Sequence, residues 1–155
     1  MLRYHNFDIV FQEIPDEITL AINLTGCKNK CINCHSKHLQ NDEGEILTHQ
    51  IIEQLFQKYS QLITCICFMG GDHDIKSVEE SANFIKMISN NNLKTAWYSG
   101  KDYFPNDLRL DQFDYIKIGS YIESLGGLRS PETNQRLFIN VNGKLKDITV
   151  QFWTR

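Results

Sequence analysis

Three of the chain's five cysteines fall within "TGCKNKCINCHSKHL", residues 25 to 39. Cys27, Cys31 and Cys34 have the spacing C-x3-C-x2-C. A disulfide would use two of these thiols, and a structural zinc site is usually closed by four ligands. Thiolates are soft donors that suit iron–sulfur clusters, zinc or copper(I). A 4Fe–4S cluster held by three thiolates keeps one iron open to another ligand. The competing reading is zinc bound by Cys27, Cys31, Cys34 and either His35 or His38. The second ligand pair of a finger or ribbon is missing, which favours the iron–sulfur reading.

A second constellation is Gly70-Gly71-Asp72. Glycines bring backbone close to a ligand, and a carboxylate receives a cationic amine. Such a turn also joins many strands to helices without any ligand. Cys65 and Cys67 stand two apart in an apolar run, so they face one side of a strand as small core residues. Trp97 and Tyr98 read as packing, and His5, His49 and His73 as surface. Lys28 and Lys30 read as solvated, with the option of tempering a cluster's negative charge. No G-x-G-x-x-G, P-loop or H-E-x-x-H motif occurs, so dinucleotide, nucleotide and zincin readings have no anchor.

The elements that must position these residues are read from periodicity. "FDIVFQEI", 7–14, alternates, with Phe7, Ile9 and Phe11 on one face, as in a strand. "ITLAINL", 18–24, forms a second strand hairpinned to it, and the cysteine loop follows. Thr48 caps a helix whose apolar face is Ile51, Ile52, Leu55, Phe56 and Tyr59. "LITCICFM", 62–69, reads as a strand buried on both sides. Ser77 with Glu80 makes a capping box for a second helix. "LKTAWYS" (93–99) and "DYIKIG" (114–119) are further strands, and Asn142-Gly143 joins a C-terminal hairpin of "RLFINV" and "LKDITVQF". Alternating strands and helices predict an α/β fold with a mostly parallel sheet. The chain is too short for a complete eight-fold barrel, so an open partial (β/α) barrel is expected, as one domain over residues 1–155. In such folds ligands bind at the carboxyl ends of the strands. Four predicted strand ends deliver the cysteine loop, Gly70-Gly71-Asp72, Ser99-Gly100 and Gly119-Ser120 to one rim.

Composition narrows the class. The net charge of −3 argues against a general nucleic-acid binder. No apolar run is long enough to span a bilayer, and no signal-peptide core is evident, so no membrane association is expected. The cytoplasm, where thiols stay reduced, is the expected location. Asn23-Leu24-Thr25 spells a glycosylation acceptor, which in that setting is chance.

C-x3-C-x2-C after an early strand, followed by a Gly-Gly-acid turn after the next, resembles the radical S-adenosylmethionine enzymes. The segments "YHNFDIVFQEIPDEITLAINLTGC", "WYSG" and "IGSYIESLGGLRSPETNQRLF" resemble the activating proteins of anaerobic ribonucleoside-triphosphate reductases. The resemblance runs from Tyr4 to about Phe138. It implies that Cys27, Cys31 and Cys34 ligate a 4Fe–4S cluster. It also implies that Gly70, Gly71, Asp72 and Ser99 bind S-adenosyl-L-methionine, with Asp72 near the amino group. The implied partners are the large catalytic subunit of the reductase, on which a glycyl radical is made, and an electron donor such as flavodoxin or ferredoxin. The radical is cofactor-borne, so no catalytic side chain is implied. Asn134, Gln135 and Arg136 match a segment of that family without a derivable role. Asp72 stands where the wider superfamily usually has glutamate, Asn33 where an aromatic or glycine is commoner, and His35 where many relatives have tyrosine. Two other functions compete: activation of a different glycyl-radical enzyme of the formate-lyase type, and a non-catalytic zinc or iron–sulfur interaction module.

Overall fold

The computed structural model describes residues 1–26 and 43–154. Cys27, Cys31, Cys34, His35 and His38 lie outside the described residues. Eight strands form one sheet: β1 (Arg3–Val10), β2 (Thr19–Leu24), β3 (Glu45–Ile46), β4 (Cys65–Met69), β5 (Lys94–Tyr98), β6 (Tyr115–Ile118), β7 (Arg136–Val141) and β8 (Lys144–Asp147). Their order is β3-β1-β2-β4-β5-β6-β7-β8. Helices α1 (His49–Tyr59) and α2 (Ile75–Ile88) connect β3 to β4 and β4 to β5.

The sheet is mixed, where a mostly parallel one was expected. Among the described residues, β2-β4, β4-β5 and β5-β6 pair in parallel and the remaining pairs are antiparallel. The turns from β1 to β2 and from β7 to β8 are too short for the crossover that a parallel return needs. At the second turn Asn142 and Gly143 both take positive φ, 54° and 86°, as a two-residue hairpin requires. The last strand stops at Asp147, short of the expected 152. The Asp147 carboxylate accepts from the Thr149 amide at 2.9 Å and turns the chain into a 3-10 segment, Thr149–Phe152.

The first strand begins and ends earlier than its alternation predicts. A register shift between Tyr4 and Asn6 inserts His5 as an extra residue opposite β2. That bulge changes the parity, so Leu2 and Tyr4 join Phe7 and Ile9 in the same apolar layer. Phe11, expected on this face, lies past the strand end and is 67% exposed.

Thr48 caps α1, its hydroxyl oxygen accepting from the Ile51 amide at 3.1 Å. The expected Ser77–Glu80 box at α2 is replaced by an earlier cap. Asp74 accepts from the Ser77 amide at 3.3 Å and the Ser77 hydroxyl at 2.7 Å, so Ser77 lies in the first turn. Both helices pack on one face of the sheet. Ile52, Leu55, Val78, Ala82 and Ile85 meet Leu20, Ile22, Ile66, Phe68, Trp97 and Ile116 there. Fully burying each such side chain contributes roughly 1.5–3 kcal/mol. Among the described residues no α-helix covers the opposite face. Its layer is Ile14, Cys65, Cys67, Ala96, Tyr98, Tyr115, Leu137 and Ile148, with Leu128 packed against it from a loop and Phe152 from the 3-10 segment.

Candidate functional site

The four parallel strands end side by side, and the turn after each carries the residues singled out above. At the end of β2, Thr25 is buried. Its amide donates to the Arg3 carbonyl at 2.9 Å, and its hydroxyl to the Glu43 carbonyl. The chain therefore enters the cysteine segment after Gly26 and leaves it at Glu43 from the same corner of the sheet. Gly44 is required there: at φ +100° an added Cβ would lie 2.2 Å from the Tyr4 carbonyl oxygen.

The Gly70-Gly71 turn follows β4 next to that corner. Gly70 donates to the Tyr98 carbonyl at 2.9 Å, and its own carbonyl accepts the Trp97 indole N–H at 2.7 Å. Trp97 is thus a packing residue, as expected, that also pins the turn. Gly71 has φ +89°, and a Cβ there would meet Val78 Cγ2 at 2.7 Å and Leu24 Cδ1 at 2.9 Å. The two glycines let α2 start hard against the end of β2.

Asp72 and Ser99 come together. The Ser99 hydroxyl donates to Asp72 Oδ1, and the Gly100 amide donates to Asp72 Oδ2 at 2.8 Å. The carboxylate expected to receive an amine thus also ties the β4 turn to the β5 turn. A carboxylate oxygen accepts more than one hydrogen bond, so this does not remove Asp72 from a ligand site. Gly119 continues the rim at the end of β6, with a Cβ placed 2.7 Å from Gln135 Cα. The Ser120 carbonyl accepts from Asn134 Nδ2 at 3.0 Å. Asn134 and Gln135 therefore back the β6 end of the rim. Arg136 turns away toward β8, 3.8 Å from Asp147 and over the Trp153 ring.

Lys117 escaped the sequence reading. It sits in β6 opposite Tyr98, 8% exposed, and donates to the carbonyls of Ser99 at 3.0 Å and Gly119 at 2.8 Å. The available signal was a lysine inside the otherwise apolar strand "YIKI". Below the rim, on the helix-free face, is a cavity of about 460 Å³ lined by Tyr98, Lys117, Tyr121, Leu128, Arg129 and Gln135.

Cys65 and Cys67 are fully buried in the strand, as expected of core residues. Burial pushes both thiols well above their ordinary range, so they stay protonated and are poor metal donors. Burial likewise raises the Tyr98 phenol, which donates to the Glu13 carbonyl. His5 is exposed, and so is His49, which stacks on Phe84 at 4.2 Å. His73 departs from its expected surface fate: it is half-buried, and its Nδ1 has no partner among the described residues. No group of three or more His, Cys, Asp or Glu among the described residues could hold a metal. The residues on either side of the cysteine segment, Thr25 and Glu43, meet at the rim. No helix among the described residues is long and apolar enough to cross a membrane.

The C-x3-C-x2-C spacing of the sequence and a family match together indicate an iron–sulfur protein. Residues 18–123 match the family model described as a 4Fe-4S single cluster domain, and the chain belongs to that family. No curated protein and no solved structure matches it.

Proposed function

We propose that the chain is a radical S-adenosylmethionine activase that makes a glycyl radical on an anaerobic ribonucleoside-triphosphate reductase, and that its sheet is the open partial barrel of that superfamily. The observation that carries this reading is the convergence at one rim of both ends of the cysteine segment, Gly70-Gly71, Asp72 and Ser99. A cluster-binding module would need the thiols alone. It would leave unexplained a carboxylate tied across two strand ends and a cavity of about 460 Å³ below them.

The donor set fits the cluster, since three thiolates leave one iron open. Cys27, Cys31 and Cys34 would hold it, and Gly70, Gly71, Asp72 and Ser99 would hold S-adenosyl-L-methionine. A reduced cluster held there would supply the electron for reductive cleavage of the sulfonium, and with it the means to take hydrogen from a glycine of the partner. The protein's part is to orient and shield. The glycines let backbone approach the methionine end, the Asp72 carboxylate complements its ammonium, and the helix-free face admits the reductase segment. Flavodoxin or ferredoxin would supply the electron, in the cytoplasm.

Anaerobic reconstitution tests the reading. About four irons and four sulfides per chain are expected, then 5′-deoxyadenosine on addition of reductant and S-adenosyl-L-methionine, then a glycyl doublet in spin resonance on the reductase. Stoichiometric zinc without iron would leave the interaction module standing. A doublet only on another glycyl-radical enzyme would transfer the activity to that partner.

A further inference from the structure

Lys117 joins the carboxyl ends of two neighbouring strands. Its ammonium donates to Ser99, just past β5, and to Gly119, just past β6. The parallel ladder ends here: the Ser99 amide still donates to the Lys117 carbonyl at 2.9 Å, but Gly119 already turns to the Lys101 carbonyl at 2.6 Å. The lysine supplies hydrogen bonds where the ladder can no longer do so. Ser99 is 1% exposed, and its hydroxyl both donates to Asp72 and accepts from the Lys101 amide at 3.0 Å. Gly100 completes the hold on Asp72. A continuous chain of contacts therefore runs from Lys117 through Ser99 and Gly100 to the Asp72 carboxylate, across the ends of β6, β5 and β4.

Burying an ammonium is costly. An apolar residue of the same shape would leave the Ser99 and Gly119 carbonyls without this donor, so what the lysine adds is these two hydrogen bonds at the strand ends. We infer that Lys117 is a positioning residue: it fixes the β5 turn so that Ser99 and Gly100 hold the Asp72 carboxylate toward the rim. This rests on the proposed function in one respect only, the identity of the ligand that Asp72 meets. The positioning itself concerns the protein without ligand.

The test uses two measurements on the full chain. Lys117→Met keeps the stem and removes the donors. In ligand-free protein the Gly100 amide should then exchange its hydrogen about tenfold faster, while the amides of Ile66, Phe68 and Ile116 keep their protection. In cluster-loaded protein the affinity for S-adenosyl-L-methionine should fall about tenfold. Combining Lys117→Met with Asp72→Asn should cost no more affinity than Asp72→Asn alone, because both changes act on one contact. Unchanged exchange at Gly100 overturns the inference, whether or not the cofactor binds. Additive losses of affinity also overturn it, since Lys117 would then act on the ligand independently of Asp72. If the native chain binds no S-adenosyl-L-methionine, the proposed function fails and the exchange measurement alone decides the positioning role. If Lys117→Met also loses protection in the strands, Lys117→Leu, which likewise lacks a donor, makes the same comparison.

Discussion

The Asp72 carboxylate accepts the Gly100 amide at 2.8 Å, joining turns that follow two adjacent strands. The side chain we propose to meet the ligand's ammonium is therefore also a tie within the rim. Asp72→Ala should leave cluster loading intact and weaken S-adenosyl-L-methionine binding by about 1.5–3 kcal/mol, the range for a hydrogen bond to a charged group. Titration calorimetry on the reconstituted protein reads this directly. Unchanged affinity would take Asp72 out of the ligand site and leave it only the tie.

Cys31→Ala should abolish both the cluster and cofactor cleavage. Two thiolates cannot hold a cubane whose fourth iron is already open to another ligand. Iron and sulfide analysis after anaerobic reconstitution is the measurement, and full iron content in the variant would mean the ligand set is wrong.

At the other end of the strands, Glu17 is 5% exposed and accepts three hydrogen bonds: from Thr64 Oγ1 at 2.7 Å, Lys94 Nζ at 2.8 Å and Tyr115 OH at 2.6 Å. These donors stand just before β4 and at the starts of β5 and β6. Glu17→Ala should destabilise the fold by about 1–3 kcal/mol, because it leaves the buried Tyr115 hydroxyl without its acceptor, while Thr64 and the half-exposed Lys94 can turn to water. Urea unfolding of the ligand-free chain reads the loss, and a change under about 0.5 kcal/mol, the size of an ordinary surface substitution, would show the cluster to be incidental. The effect should fall on stability and not on the cofactor, since this end lies opposite the rim.

Several groups hold their protons more tightly in the folded chain than in the unfolded one. Desolvation raises Cys65 and Cys67 above 9.0 and Tyr98 and Tyr115 above 10.0, and the Glu17 hydrogen bond raises Lys94 above 10.5. Between its unfolded and folded values each group is protonated in the native state and deprotonated in the unfolded state. The unfolded chain then binds fewer protons, so stability falls as pH rises. The contribution is whole below pH 9 and should decline above it. Melting curves between pH 7 and 11 should be flat at first and then fall. Replacing Cys65 and Cys67 with alanine should soften the onset near pH 9. A stability that did not change up to pH 11 would contradict the burial of these groups.

Local patterns carried much of this protein. The order of the elements was legible because apolar periodicity and turn chemistry act over a few residues: Thr48 as a cap, the doubly buried "CICF" of β4 and the Asn142-Gly143 hairpin all stand where the sequence puts them. The iron–sulfur reading of the cysteine segment was likewise legible in its spacing, and the family match to a 4Fe-4S single cluster domain agrees with it. Tertiary structure alone decided the rest. The bulge at His5 brings Leu2 and Tyr4 onto the same face as Phe7 and Ile9, and a one-residue change of parity leaves no mark on alternation. Asp72 meets Ser99 across 27 positions, and Glu17 meets Tyr115 across 98. Such meetings depend on which strands lie side by side and in what register, and that is set by the whole sheet and not by any one stretch of it. Lys117 shows the reason most plainly: its sequence neighbours only mark it as out of place, and the two carbonyls that explain it come together only when β5 and β6 end at the same height.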